Sequence, residues 1–407
     1  MKVERLSVRG DAAAVADRVH ALAPGAESVT ATVREIVDDV REHGDVALRR
    51  YVERFDRVEG DLRVGGEELA AALDALAAEV RAGLEVGIAN VRAVAEADLG
   101  ADVDVALPQG HTVSLRDVPV RRAAIYVPGG RAAYPSTVVM GVTVARAAGV
   151  DEVVVCAPGA HPVILAACAL CGADAVFRMG GAHAVAAFAY GTETVPRADV
   201  VVGPGGLYVQ EAKRLVSGDV GIEGFAGPSD VLVVASRGAD PALVSIDLAA
   251  QAEHGEGTIV CAVSDDPALL DAVELDPGDA AAALVDAPDL ETALAFAEAF
   301  APEHLELVGA EAEALAPRVR SAGCVFVGRE GATAFGDYVA GSNHTLPTGG
   351  AARFASQLGP RHFRRRMSEV RIGGAAAALA AAGAPVARAE GFEVHAASME
   401  VRENAPL

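Results

Sequence analysis

The sequence predicts an α/β protein built as two lobes, each a parallel-rich sheet flanked by helices, with a helical N-terminal region and a helical C-terminal tail. Three observations lead there. Short Val- and Ala-rich runs recur through the middle of the chain, each closed by glycine and followed by a helix-like segment. The first hundred residues instead carry apolar side chains at helical spacing. From Arg361 onward the chain turns basic, then very rich in alanine.

Residues 11–100 read mostly as helix, with one amphipathic run from Ser28 to Phe55 and a longer one from Glu67 to Leu99. Strands are then expected at Ala123–Val127, Glu152–Cys156, Ala175–Arg178 and Val200–Val202, each before a glycine turn. A second series falls at Val231–Ala235, Thr258–Val263, Leu305–Val308 and Cys324–Val327, with helices between them such as Pro241 to Glu253. Strands that alternate with helices imply βαβ units and parallel pairing. The change of lobe falls near Phe225-Ala-Gly-Pro-Ser229. The expected division is residues 1–120 with 229–358 as the first lobe, 121–228 as the second, and 359–407 as the tail. The Ala/Gly run at 373–385 reads equally as linker or helix. A tail this short cannot hold its own core and must pack on the body or on a second subunit.

The chain has 407 residues, 52% of them hydrophobic, yet aromatics make up only 4% and Trp is absent, so Ala, Val and Leu supply the core. Its formal net charge of −23 repels phosphate backbones and anionic lipid, which argues against nucleic-acid and membrane partners. No apolar run is long enough to span a bilayer, and Met1-Lys-Val-Glu-Arg-Leu6 lacks the apolar core of a signal peptide, so a cytoplasmic location is expected. The odd count of five Cys fits reduced thiols. Cys168-Ala-Leu-Cys171 sits in an alanine-rich run and reads as a buried helix face rather than a redox or metal motif.

Several polar groupings interrupt this apolar texture. Gln251 and His254, three apart in an expected helix, share a face and could hold one ion, or simply face solvent. Zinc accepts imidazole nitrogen and carboxylate oxygen, whereas Gln is an uncommon ligand. Glu303-His304 follows Ala-Pro. At a loop-to-strand junction both can point into a cleft, Glu to activate water and His to take a proton; the plainer reading is an ion pair. Gly336-Asp-Tyr-Val-Ala-Gly-Ser-Asn-His344 reads as a polar loop in which either Asp337 or His344 could be a ligand. His395 stands alone in the tail. Gly203-Pro-Gly-Gly206 misses the dinucleotide fingerprint because Tyr208 occupies the third glycine position. The lobes are expected to be incompletely Rossmann-like. The glycine turns serve either an anion or tight packing.

Taken together, these motifs resemble the histidinol dehydrogenase family. The likeness is carried by Tyr126-Val-Pro-Gly-Gly130, by the run from Gly180 to Thr192, by Gly203-Pro-Gly205, Ala226-Gly-Pro-Ser229, and by Asp247-Leu-Ala-Ala-Gln-Ala-Glu-His254. Ala301-Pro-Glu-His-Leu305 and Gly336-Asp-Tyr338 through Thr348 complete it, in family order, from about residue 30 to His395. The resemblance implies oxidation of L-histidinol to L-histidine, the last step of histidine biosynthesis, by two hydride transfers to NAD through a retained aldehyde. It implies a zinc ion (Zn2+) held by Gln251, His254, Asp337 and His395, the last from the partner subunit, in a homodimer with exchanged tails and shared active sites. Glu303 and His304 would be the acid/base pair. Ser229, Gln251, His254, His304, Asp337, Glu390 and His395 would contact the small amino alcohol. Residues 121–228 would form the cofactor side, with Tyr126, His183 and Gly206 at the NAD-contact positions.

Three features depart from the family pattern. His183 stands where Gln is usual, Gly206 where Asn is usual, and the stretch between His254 and Glu303 is short. A lost neutral hydrogen bond at Gly206 costs about 0.5–1.5 kcal/mol, which weakens NAD binding without abolishing chemistry. Rival readings are a zinc- and NAD-dependent dehydrogenase of the same fold acting on another small alcohol such as a sulfonated diol, a zinc hydrolase using Glu303 and water, and a non-catalytic metal-binding paralogue.

Overall fold

A computed structural model describes residues 3–23, 29–129, 132–224 and 229–403. It divides into two compact units, Met1–Asp98 with Val120–Phe363, and Leu99–Pro119 with Arg364–Leu407. The expected change of lobe, Phe225 to Pro228, lies outside the described residues, as does Gly130 of the first glycine turn.

In chain order, β1 (Glu4–Ser7) precedes helices α1 (Ala12–His20), α2 (Thr30–Tyr51), α3 (Gly66–Asp74) and α4 (Ala78–Ala97). Strands β2 (Val103–Ala106) and β3 (Thr112–Pro119) follow. The next stretch alternates β4 (Arg122–Tyr126), α5 (Pro135–Ala147), β5 (Glu152–Cys156), α6 (Pro162–Cys171), β6 (Ala175–Phe177), α7 (Gly181–Tyr190), β7 (Val200–Val202), α8 (Leu207–Val216) and β8 (Gly221–Ile222). A second alternation runs through β9 (Asp230–Ala235), α9 (Pro241–Ala252), β10 (Ile259–Ser264), α10 (Pro267–Ala272), β11 (Ala281–Asp286), α11 (Leu290–Phe300), β12 (His304–Val308), α12 (Ala310–Glu313), β13 (Cys324–Val327) and α13 (Thr333–Tyr338). The tail holds β14 (Arg364–Arg371), α14 (Ala376–Ala389) and α15 (Glu393–Glu400).

The first unit contains two sheets, ordered β6-β5-β4-β7-β8 and β1-β11-β10-β9-β12-β13. Pairing within both is parallel, as the strand–helix alternation predicts. Two strands of the second sheet escape the sequence reading. β11 is half alanine, which lacks the β-branched signature of a strand, and β1 is a short edge strand on β11.

α1 and β1 pack with the six-stranded sheet, in keeping with the expected grouping with residues 229–358, whereas α2 and α4 depart from it. Val33, Ile36, Val37 and Val40 of α2 join a core with α7 and with Val154 and Val201 of the five-stranded sheet. Ile88, Val91 and Ala95 of α4 join the core around α5 on strands of that same sheet. Helical spacing identifies a buried face but not the surface that will bury it. α7 is buried at every position from Ala182 to Ala189, so its alanines pack on all sides. Cys168 and Cys171 lie in the core on α6, and burial pushes the Cys171 thiol up to about 12, as an inert helix face requires.

In the second unit β14 pairs antiparallel with β3, which pairs antiparallel with β2. The 373–385 run resolves as a short 3-10 turn leading into α14, with Pro385 inside the helix. α14 and α15 meet through Ala384, Ala387 and Ala396 with Met399 alongside. Alanine buries little area, so this small cluster contributes little stability. Among the described residues, no helix is long and apolar enough to cross a membrane.

Candidate active site

Both sheets of the first unit present an edge to one cleft of about 560 Å³. The five-stranded sheet contributes the loops beyond the carboxyl ends of β4 and β7, with Pro128, Gly129, Pro204 and Gly206. The six-stranded sheet contributes residues at the amino ends of β9 and β12, namely Ser229, Glu303 and His304. Gln251, His254 and Asp337 line the same space, as does His344. The parallel register pairs His304 with Val231, which sets Glu303 beside Asp230.

That register produces a closed set of bonds. Glu303 is buried, and its Oε2 accepts the Ser229 hydroxyl at 2.7 Å and the Asp230 N–H at 3.0 Å. Its own N–H donates to Asp230 Oδ1 at 2.7 Å. Gln251 Nε2 donates to Ser229 Oγ at 2.7 Å, which leaves the amide oxygen as its remaining polar atom. His254 Nδ1 lies 3.0 Å from the Gln251 carbonyl oxygen. A proton on Nδ1 leaves Nε2 as the lone-pair nitrogen, the usual preparation of a ligand imidazole. His304 turns Nδ1 to the Asp230 carbonyl at 3.3 Å and Nε2 to Asp337 Oδ1 at 3.6 Å.

Burial pushes the Glu303 carboxyl up, against the opposing pull of His304 and Ser229. Asp230 rises to about 8, from burial first and then from the charge of Glu303. Burial draws His304 down, but Glu303 and Asp337 outweigh it and lift the imidazole to about 9. Asp337 is lowered: burial works against ionisation, and the hydrogen bond and charge of His304 overcome it. An ionised Asp337 next to a lone-pair imidazole and an amide oxygen is a nitrogen and oxygen donor set suited to a borderline divalent cation. Among the described residues, no group of three or more His, Cys, Asp or Glu is placed to hold a metal ion. The three donors of the first unit include an amide, and they fall short of a closed four-ligand shell.

Two sequence expectations change in detail. His254 sits in the turn just past α9 rather than inside the helix, because the helix ends at Ala252 and Gly255 adopts a positive φ. Asp337 belongs to the short helix α13, not to a loop. Gly336, which suggested a loop, is a packing glycine whose Cβ would lie 2.5 Å from Phe326. Glu390 caps the end of α14 and His395 lies on α15, both in the second unit.

Tyr126 and His183 do not line the cleft. Tyr126 is buried, and its hydroxyl accepts the Gly181 N–H at 2.9 Å. His183 is also buried, with Nε2 2.8 Å from Asp56 Oδ2. Gly203 is needed for close approach, since a Cβ there would stand 2.1 Å from the Tyr126 carbonyl oxygen. Gly206 differs: an added Cβ meets nothing within 4 Å.

The family model described as histidinol dehydrogenase matches residues 23–403. Histidinol dehydrogenase of Rhizobium meliloti is 42% identical over 93% of each chain, and that of Halobacterium salinarum is 44% identical over 93% of this chain and 94% of its own. The chain belongs to the histidinol dehydrogenase family. It is therefore an oxidoreductase by descent. The crystal structure of histidinol dehydrogenase from Elizabethkingia anophelis superimposes with a TM-score of 0.89 at 27% identity, covering 98% of both chains.

Within this family member, sequence reading missed two acids, Asp230 beside Glu303 at the cleft and Asp56 against His183 away from it. Asp230 opens a strand whose other residues are all apolar, and an acid in such a run is the available signal. Asp56 gave no signal, since it follows a helical run among other charges; its carboxylate takes both His183 and the Gly180 N–H at 3.0 Å. Asp56→Ala should therefore cost about 2–3 kcal/mol of stability by leaving those buried groups without a partner. Urea denaturation should show it as a lower midpoint at unchanged slope.

Proposed function

We propose that this protein oxidises L-histidinol to L-histidine in two NAD-dependent steps, with zinc at the site and a retained aldehyde between the steps. The observation that supports this most is the convergence of Ser229, Gln251, His254, Glu303, His304 and Asp337 on one cleft from four separate elements of the first unit. Gln251, His254 and Asp337 would hold the zinc, and His395 of the partner subunit would close the shell. Apolar side chains exposed beside each half of that set favour such assembly. Phe335 and Tyr338 flank Asp337 at 55% and 62% exposure, while Phe392 and Val394 flank His395 at 53% and 80%.

When bound, zinc supplies an electrophilic anchor for the nitrogen and oxygen of the amino alcohol, and NAD supplies the hydride acceptor. His304 then takes the hydroxyl proton on Nε2, the nitrogen that faces Asp337. Asp337 is part of what lifts His304; with Asp337 engaged by a cation, that support falls and the imidazole becomes available as a base. Glu303 draws a proton from water so that it adds to the aldehyde carbon, and the resulting hydrate gives up the second hydride. Ser229 and the Asp230 N–H orient the Glu303 carboxylate for this. Glu390 would contact substrate.

On the cofactor side, Gly206 precedes α8, whose amino end has no side-chain cap and so offers free N–H groups to a phosphate. The open space around Gly206 permits the side chain it lacks. Gly206→Asn should lower the KM for NAD about 2- to 10-fold, the worth of one neutral hydrogen bond, with kcat little changed. Steady-state titration of NAD checks it; an unchanged or higher KM counts against a missing contact. Substrate choice is tested by supplying NAD and zinc with either L-histidinol or a sulfonated diol. NADH from the amino alcohol supports the proposal, and turnover of the diol alone would replace it.

A further inference from the structure

Glu306 and Asp247 behind the cleft, with Thr333 on its wall, form a layer of polar side chains that the chemistry above does not use. Glu306 is 1% exposed on β12, two residues past His304 and so on the same strand face. Its Oε1 accepts the N–H of Thr333 at 3.0 Å. Thr333 is the first residue of α13, is itself buried, and lies four residues before Asp337 on that helix. The preceding residue, Ala332, has no side chain that could cap the helix, so Glu306 does the capping from the neighbouring strand. Its other oxygen, Oε2, meets no nitrogen or hydroxyl donor. The Glu306 carboxyl instead hydrogen-bonds the carboxyl of Asp247, which lies on α9 four residues before Gln251.

Two carboxyl groups bond each other only through a proton, and the energetics agree. Burial, then the charge of Asp247, pushes Glu306 up to about 8, and burial raises Asp247 as well. Each member of this layer is thus one step along its element from a site residue: Asp247 from Gln251, Glu306 from His304, Thr333 from Asp337.

We propose that Glu306 and Asp247 form a single proton-sharing carboxyl pair that ties β12, α9 and the amino end of α13 together, and so positions Gln251 and Asp337 as metal donors. This rests on the zinc reading of the site. Neither carboxyl touches substrate or cation; both are positioning residues. The pair carries one negative charge, held at the amino end of α13 where the backbone favours it. Second-layer partners of this kind tune metal affinity about 10- to 100-fold.

The test compares Glu306→Gln with Glu306→Leu in the full-length protein. Glutamine keeps an acceptor for Thr333 and offers its NH2 to an ionised Asp247, so it reproduces the shared-proton state without the proton. Zinc affinity, read by chelator competition, should stay within about 3-fold of wild type for Gln and fall about 10- to 100-fold for Leu, with kcat following. Melting temperature is read on both. Should the Leu variant fail to fold, Thr333→Pro removes the same N–H at a helix position that accepts proline, and should also weaken zinc binding. Equal zinc affinity in wild type, Gln and a folded Leu or Pro variant would overturn the proposal, as would a Gln variant that loses zinc. A wild-type protein that binds no zinc would instead refute the zinc reading itself, so the two failures are distinguishable.

Discussion

Glu303→Gln should lower turnover of the aldehyde about 10²- to 10⁴-fold, the range of a lost general base, while the protein stays folded. The fold should survive because glutamine can place its amide oxygen where Oε2 accepts the Ser229 hydroxyl and the Asp230 N–H. The Glu303 N–H that donates to the Asp230 carboxylate is a backbone group and is untouched. What disappears is the ability to accept a proton from water. Oxidation of the alcohol, assigned to His304 in the proposed chemistry, should suffer less than oxidation of the aldehyde. Separate assays with L-histidinol and with the aldehyde supplied directly would check this by the ratio of the two losses. Equal losses would remove water activation from the role of Glu303.

Asp337→Ala should be the most damaging change to the metal. It deletes the only carboxylate among the three proposed zinc donors of the first unit and unpairs His304 Nε2. Activity should fall at least about 10²-fold, with bound zinc per subunit falling in step. His304 should drop below its present value of about 9, since Asp337 is one of the groups that lift it. The same variant probes subunit sharing. Mixed with His395→Ala chains, it should regain about a quarter of wild-type activity, because half the dimers become hybrid and each hybrid holds one intact site. Metal analysis and activity before and after mixing provide the check. No recovery would mean that each chain completes its own site.

How far the sequence reveals the protein depends on which physical signal each feature leaves. The parallel sheets were legible because strands such as Val231–Ala235 are continuous apolar runs between helices, the mark of strands buried on both faces. β11 was not, because its alanines favour helix over strand. The partner of α2 was not, because an apolar stripe does not name the sheet that covers it. Local chemistry placed Glu303 and His304 at a loop-to-strand junction, and the structure puts both side chains on the cleft. What local chemistry could not supply is pairing across long separations. The bonds between Asp230 and Glu303, between Asp56 and His183, and between Asp247 and Glu306 each link distant segments. His183 shows the consequence. It stands at a position of cofactor contact in the resemblance, yet its ring is taken up by Asp56 in the core.

The most direct measurement is the NADH yield from a limiting amount of L-histidinol, using metal-free protein before and after zinc is returned. Two NADH per L-histidinol are expected with zinc and almost none without it. One NADH with free aldehyde in solution, or full turnover in the metal-free protein, would contradict that expectation.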